Sequence, residues 1–506
     1  MEARAVSDVM SSPVLTATAD ETLAAVSDRM WEQMVGSVIV VDGDAPVGIL
    51  TERDLIRFGA NGGAATETIV GDWMTAEPDT VGPDAGVAEA YDLLADKGFR
   101  HFPVVEDGTL VGVVSLRDLL SVAAIQPVMD PGQIEAPPGL EGVIVAETTV
   151  GDVRGQEGFY HYRQYSAVEL ADKVTLEDAW YLLFEGELPT AAQRSAFMDE
   201  TRPLRSIPAP VYEVLPVIAR ESNSIMEGLR TAVSLVAAAS DMQPSLDVDH
   251  ATRRTDALRL CSVVPTLIMA MYRLRRGLDP IEPRDDLGYG ANYLWMMDGS
   301  ERPDDIGRAV EQYQMTTIDH GFNASTFTSR VICSTGADVG AAVVGGIGAL
   351  SGPLHGGAPS RALDLLDAIG TTENARPYLV KAVENGEKIM GFGHRVYKTE
   401  DPRSAFLRDV AERIGAKDID FAKTVEQTVV DVLAELKPGR DLYANVEFYA
   451  GVVMDHCGLP RELFTPTFAS SRVIGWCANI LEQAADNRII RPSARYVGPP
   501  PPQPLP

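Results

Sequence analysis

Residues 36–56 read GSVIVVDGDAPVGILTERDLI and residues 100–120 read RHFPVVEDGTLVGVVSLRDLL. A shift of 64 positions lays one on the other without a gap, pairing Gly48 with Gly112, Thr51 with Ser115, Arg53 with Arg117 and Asp54 with Asp118. The match begins earlier, where SDVM at Ser7–Met10 falls on GDWM at Gly71–Met74. Two copies of one unit are therefore present. Each predicts a helix (ETLAAVSDRMWEQ, AGVAEAYDLLADK), a short apolar strand, a Gly/Asp turn, a second strand and a polar-capped helix. Thr51 and Ser115 stand where those last helices start, with an Asp three residues on, as an N-cap and an acidic first turn require.

This α/β repeat resembles a pair of cystathionine-β-synthase-type (CBS) domains over residues 1–125, with copies at about 1–60 and 65–125. In that family the same hydroxyl and carboxylate border a cleft that takes adenine nucleotides. The resemblance thus implies Thr51, Asp54, Ser115 and Asp118 as nucleotide-binding residues, and an adenine nucleotide as effector. Helix capping calls for the same residues, so both readings stand at this point. Residues 126–138 carry Pro and Gly without apolar periodicity and predict a linker, while the Pro-rich tail 493–506 predicts extended chain.

Between linker and tail the pattern is helical, as in IGRAVEQYQMTTIDHGF and DFAKTVEQTVVDVLAELK, so the larger part of the chain reads as mainly α. With 506 residues, several cores are expected. The balance of 43 Lys and Arg against 73 Asp and Glu gives a net charge of −30, a field that repels nucleic acid and anionic lipid. Any site for an anionic metabolite must concentrate Arg and His against that field. No uninterrupted apolar run approaches the roughly 20 residues of a bilayer span, and the start MEARAVSDVMSSPV lacks a basic region followed by an apolar one. The expected location is the cytoplasm, with no membrane and no nucleic acid as partners. Cys261, Cys333, Cys457 and Cys477 are far apart in sequence, show no metal-ligand spacing and read as reduced packing residues, so no metal is expected.

No Walker A, HExxH or G-x-S-x-G motif is present, and GGIGALSG from Gly345 reads as close helix packing. Three histidines lie among glycines and polar residues: His320 in TIDHGFNASTF, His355 in GPLHGGA and His394 in GFGHRVYK, followed by Arg403 in DPR. Backbone N–H groups beside an imidazole suit a thioester oxygen or a developing enolate. His456, in VMDHCGLP, reads as structural. Glu447 stands in ANVEFYAG, where an apolar setting for a carboxylate asks for compensation.

Taken together, GLEGVIVAETTVGDVRG, LLFEGELPT, DHGFNASTF, GPLHGGA, GFGHRVYKTEDPRS, ANVEFYAG and RIIRPSARYVGP, running from Gly139 to Gly498, are similar to citrate synthase. The resemblance implies a two-domain, all-helical fold, with a large domain at 139–355 plus 455–492 and a small domain at 356–454, acting as a homodimer or higher homo-oligomer. It implies condensation of acetyl-CoA with oxaloacetate and water to citrate and CoA, in the tricarboxylic acid cycle, with no permanently bound cofactor. It implies His355, His394 and Glu447 as catalytic residues. His320, Arg403, Arg472 and Arg491 hold oxaloacetate, Arg491 from the other subunit, and the Gly391, Phe392, Gly393 backbone approaches CoA. The family's usual residue at position 447 is Asp, in NVDFYS. Two alternatives accompany this reading: a 2-methylcitrate synthase using propionyl-CoA, and a non-catalytic sensor of nucleotide and CoA.

Overall fold

The computed structural model describes residues 5–33, 35–60, 63–87, 89–90, 93, 101–115, 118–119, 135–356, 359–387, 389–393, 397, 399–437 and 442–498. The chain divides into two compact units, Met1–Val143 with Pro492–Pro506, and Ile144–Arg491.

In the first unit, copy one forms α1 (Leu23–Glu32), β2 (Ser37–Asp42), β3 (Ala45–Thr51) and α2 (Glu52–Ala60), with the short strands β1 (Thr16–Ala17) and β4 (Thr75–Ala76) completing a sheet of order β1-β2-β3-β4. Copy two contributes the hairpin β5 (His101–Glu106) and β6 (Thr109–Ser115). Its first helix lies largely outside the described residues. Alternation buries Val38, Val40 and Leu50 against Leu23 and Val26 of α1, and Phe102, Val104 and Val114 in the second copy.

The two copies exchange their leading segments. Ser11 bridges to Val113 of copy two, whereas β4 pairs with Gly48 and Ile49 of copy one. A Cβ on Gly112 would lie 2.4 Å from the Met10 sulfur, and one on Gly48 would lie 2.3 Å from the Met74 sulfur. Each strand glycine thus receives the methionine that precedes the other copy, which is why Met and Gly recur together at the repeat distance.

The second unit opens with the three-stranded antiparallel sheet β7 (Gly151–Arg154), β8 (Phe159–Tyr162) and β9 (Tyr165–Ser166), which the helical pattern did not predict. Sixteen residues of alternating sequence precede the first helix there, too short a stretch to register against the helical background. Among the described residues, every later named element is a helix. The segment SAVELADKVTLEDAWYLLFEGELP divides into Ala167–Lys173 and Leu176–Glu185, because Thr175 and Asp178 form a capping box that restarts the helix.

Helices His250–Leu274 and Phe464–Ala485 pack against each other at the centre, the second buried almost from end to end. Among the described residues His250–Leu274 is long and apolar enough to cross a membrane, and here it is a core helix. Its apolar side chains meet helices on every side rather than a single face. The GGIGALSG stretch lies mostly in helix Val339–Leu350, pressed on Ala324–Ser334 and on Trp476. A Cβ on Gly345 would come within 2.1 Å of Ile332, and one on Gly346 within 2.6 Å of the Ser329 hydroxyl. Close packing, not a nucleotide loop, accounts for these glycines. All four cysteines are buried and free.

Candidate active site

Arg403 enters the site from the first turn of helix Pro402–Arg413, where Asp401 is the N-cap and Pro402 the first helical residue. Asp-Pro-Arg is a helix-start signature, and the cap does a second task. The Asp401 carboxylate accepts from Arg403 Nε at 3.0 Å and Nη2 at 2.8 Å, and from the backbone N–H of Val446 at 3.2 Å. Both side chains are buried, and the paired carboxylate and the guanidinium each satisfy the other's charge. Burial alone would lower the Arg403 pKa, but Asp401 more than offsets it, so the guanidinium stays charged.

Aromatic rings wall this cation. The Arg403 guanidinium carbon lies 5.9 Å from the Tyr160 ring and 5.7 Å from the Tyr397 ring. Tyr397 in turn shares a 3.0 Å hydrogen bond with His320 Nε2, and Tyr160 packs on the His320 ring. A second buried cation, Arg472, projects from helix Phe464–Ala485 and donates from Nε to the Thr317 carbonyl at 2.7 Å. Burial lowers its pKa and Asp319 counters that. Asp319 itself is pushed up to about 6 by burial, with Arg472 pulling the other way.

His355 follows helix Val339–Leu350 in a tight turn. A Cβ on Gly356 would meet the Leu350 carbonyl oxygen at 2.3 Å, so the turn requires glycine there. His355 Nε2 lies 3.3 Å from the backbone N–H of Ser325 and 2.8 Å from its hydroxyl. Ser325 is the second residue of helix Ala324–Ser334, and its N–H is shared between the Asn323 N-cap Oδ1 at 3.1 Å and His355 Nε2. An N–H pointing at Nε2 makes that nitrogen the acceptor and places the ring proton on Nδ1. The Ser325 hydroxyl is fixed by Trp476 Nε1, which donates to it at 3.0 Å. Burial first, and the Arg472 charge second, push the His355 pKa down to about 4, so the imidazole is neutral at neutral pH.

Glu447 sits in the first turn of helix Val446–His456, with Asn445 as N-cap. The segment before it is pinned to the GFG loop. Gly393 N–H donates to the Tyr443 carbonyl at 2.8 Å, Asn445 N–H to the Gly391 carbonyl at 2.9 Å, and Asn445 Nδ2 to the Gly393 carbonyl at 3.1 Å. Gly391 and Gly393 both have positive φ, +85° and +84°, as that turn demands. Burial raises the Glu447 pKa above the ordinary carboxylate value, and the Arg403 charge holds part of that rise back.

Of the residues singled out from the sequence, His320, His355, Arg403, Arg472 and Glu447 form one electrostatic neighbourhood: both arginines act on Glu447, and Arg472 acts on His355. Gly391, Phe392 and Gly393 border it through Asn445. His394 lies outside the described residues, and Arg491 is exposed at the end of this unit. Sequence reading missed Asp401, Tyr160, Tyr397 and Ser325. The capping signature would have found Asp401, and Tyr397 stands in the quoted GFGHRVYK stretch without having been singled out, but no local pattern marks Tyr160, which joins the wall from a segment far away in sequence.

In the first unit Asp54 accepts from the Thr51 N–H at 3.0 Å and hydroxyl at 2.7 Å, and Asp118 accepts from the Ser115 N–H at 2.9 Å and hydroxyl at 2.6 Å. Both pairs therefore cap helices. Thr51 and Asp54 also line a cavity of about 510 Å³, whose apolar wall includes Ile49 and Phe102, one from each copy.

A family model described as "Citrate synthase, C-terminal domain" matches residues 139–493, and the CBS domain model matches 6–61 and 70–125. Citrate synthase of Deinococcus radiodurans is 38% identical over 365 residues, 71% of this chain and 95% of that protein. The 2-methylcitrate synthase of Mycobacterium tuberculosis is 37% identical over 382 residues, 75% of this chain and 95% of that protein. The solved citrate synthase of Pyrobaculum aerophilum superposes with a TM-score of 0.67 at 36% identity, covering 75% of this chain and 98% of that one. A Thermoplasma acidophilum citrate synthase, solved as a ternary complex with carboxymethyl coenzyme A and oxaloacetate, has the same TM-score at 28% identity, covering 73% of this chain and 97% of that one. Fold and relatives together define an acyltransferase of the kind that converts an acyl group to an alkyl group on transfer. The chain belongs to the citrate synthase family and carries two CBS domains ahead of the catalytic part.

Proposed function

We propose that the protein condenses acetyl-CoA with oxaloacetate and water to give citrate and CoA, in the cytoplasm and as a homodimer. The observation that carries this reading is the placement of a neutral His355, with its proton on Nδ1, in one charged neighbourhood with Glu447 and two buried arginines. Arg403, Arg472 and His320 hold oxaloacetate, with Arg491 reaching it from the other subunit. His355 donates from Nδ1 to the thioester oxygen while Glu447 removes a methyl proton, giving an enol. The enol carbon attacks the oxaloacetate carbonyl carbon, and His394 supplies the proton to its oxygen. Water then cleaves the citryl thioester and releases CoA. The Gly391–Gly393 backbone borders the coenzyme. Residues 139–355 with 455–492 form the large domain and 356–454 the small one.

A second reading, 2-methylcitrate synthesis from propionyl-CoA, is favoured by the 2-methylcitrate synthase relative, whose identity nearly equals that of the citrate synthases. In either case the CBS pair takes an adenine nucleotide that favours one catalytic conformation over another. The test is thiol release by the purified chain with each acyl-CoA. Oxaloacetate-dependent release, faster with acetyl-CoA, supports the first reading. Faster release with propionyl-CoA replaces it by the second, and no release with either at high enzyme concentration leaves only a sensor.

A further inference from the structure

We propose that a small pocket in the second unit, bordered by helices Leu176–Glu185, His250–Leu274 and Tyr289–Asp298, is a site for one monoatomic anion, a halide such as chloride. Trp180, Arg205, Ser262, Thr266, Tyr289 and Asn292 supply its polar lining. None of them belongs to the candidate active site. The pocket offers the centre of a water-sized sphere about 20 Å³, where one such sphere needs roughly 10–15 Å³. There is room for a single small occupant.

Three of these groups are buried donors that no protein atom meets: Trp180 Nε1, Ser262 Oγ and Thr266 Oγ1, on side chains 2%, 5% and 3% exposed. Ser and Thr inside a helix usually turn the hydroxyl back onto the carbonyl four residues earlier, as Thr255 of the same helix does onto Ala251 at 3.0 Å. Ser262 and Thr266, one turn apart, do not. Leaving such donors unmet in the interior is costly. The other polar groups are committed elsewhere: Asn292 spends both ends of its amide on the Arg284 backbone at 3.0 and 2.7 Å, and Tyr289 donates to the Ser470 carbonyl at 2.9 Å. An indole N–H and a guanidinium have no lone pair to offer, so the pocket presents donors. A water accepts two hydrogen bonds and must then place its own two hydrogens. A halide accepts from all four groups and needs no acceptor in return.

The charges around the pocket favour the same occupant. Arg308 pairs with Glu311 at 3.0 Å, and Arg194 with Asp178 at 2.8 Å. Arg205, the buried third arginine of this cluster, has its carboxylate partner Glu177 at 3.7 Å, beyond hydrogen-bond distance, and reaches the Arg284 carbonyl at 3.5 Å. Burial first, and the Glu311 charge second, raise the Glu177 pKa above the ordinary carboxylate range, so Glu177 balances Arg205 only in part. An anion beside Arg205 supplies the remainder of that compensation.

The test is a crystal structure of the full chain in bromide, located by its anomalous signal, together with thermal unfolding at constant ionic strength as sodium gluconate is exchanged for sodium chloride. Bromide is expected in the pocket, within hydrogen-bond reach of Trp180 Nε1 and the Arg205 guanidinium. Chloride is expected to raise the unfolding midpoint of the parent by about 2 °C. In the double variant Ser262→Ala, Thr266→Val, the bromide signal and the chloride-dependent rise should both be lost. A parent pocket that holds water and no bromide overturns the proposal, and this arm needs no variant to fold. A bromide signal without any chloride-dependent rise marks an adventitious ion only and overturns it as well. A rise that the double variant keeps in full places the effect elsewhere, with the same consequence.

Discussion

Replacing Glu447 by Asp restores the residue usual in the family, yet it is expected to slow this enzyme. The backbone that carries Glu447 is not free to follow a shorter side chain. Asn445 is held to Gly391 and Gly393 by bonds of 2.9 and 3.1 Å, and Val446 N–H is held by Asp401 at 3.2 Å. Removing one methylene therefore withdraws the carboxylate by roughly 1.5 Å with little backbone compensation. A misplacement of about 1 Å costs on the order of 10² in rate, so Glu447→Asp should retain about 1% of parental turnover. Glu447→Gln removes the base itself and should fall further, by about 10³ or more. The assay is CoA release under saturating substrates, with circular dichroism to show that each variant is folded. Turnover of Glu447→Asp equal to or above the parent would refute the argument that this segment is set for the longer acid, and parental turnover in Glu447→Gln would remove Glu447 as base.

Alanine at His355 or at His394 should lower turnover by about 10² to 10⁴ without unfolding the protein, measured by the same assay, and near-normal rates would end the assignment. Arg491→Ala and Arg403→Ala, each inactive alone, should regain part of the parental activity when mixed into verified heterodimers, since one intact site then forms; no recovery would place Arg491 in its own subunit's site. Glu447 must be ionised to act and its pKa lies above the ordinary 4.5, so turnover should fall as pH drops through that raised value. His355, at about 4, stays neutral over the same range and adds no second limb near pH 6.5. A turnover profile with a limb near 6.5 that disappears in a His355 variant would contradict the neutral imidazole.

How much of this was legible in the sequence depends on whether the controlling interaction is local. The repeat was legible because Gly48 and Gly112 must each accept a methionine, leaving the same mark twice. The exchange of segments between copies was not, because a strand edge does not record which neighbour it joins. The glycines of GGIGALSG were read as packing and lie against Ile332, Ser329 and Trp476. His320, His355, Arg403 and Glu447 were singled out because motif context marked each one, whereas Arg472 came from the family resemblance alone. What holds them was hidden, because Tyr397 reaches His320 and Trp476 reaches Ser325 across long stretches of chain. The β7–β9 sheet was missed because its strands are only two to four residues long.

The reaction proposed for this site forms a carbon–carbon bond between the acetyl methyl carbon and the oxaloacetate carbonyl carbon. Carbon-13 NMR of the reaction of methyl-labelled acetyl-CoA with oxaloacetate tests it most directly. Label is expected in a methylene of citrate, formed in equal amount to free CoA and only when oxaloacetate is present. Labelled acetate in place of citrate would show a thioester hydrolase, and unchanged acetyl-CoA would show a binding protein; either result contradicts condensation at this site.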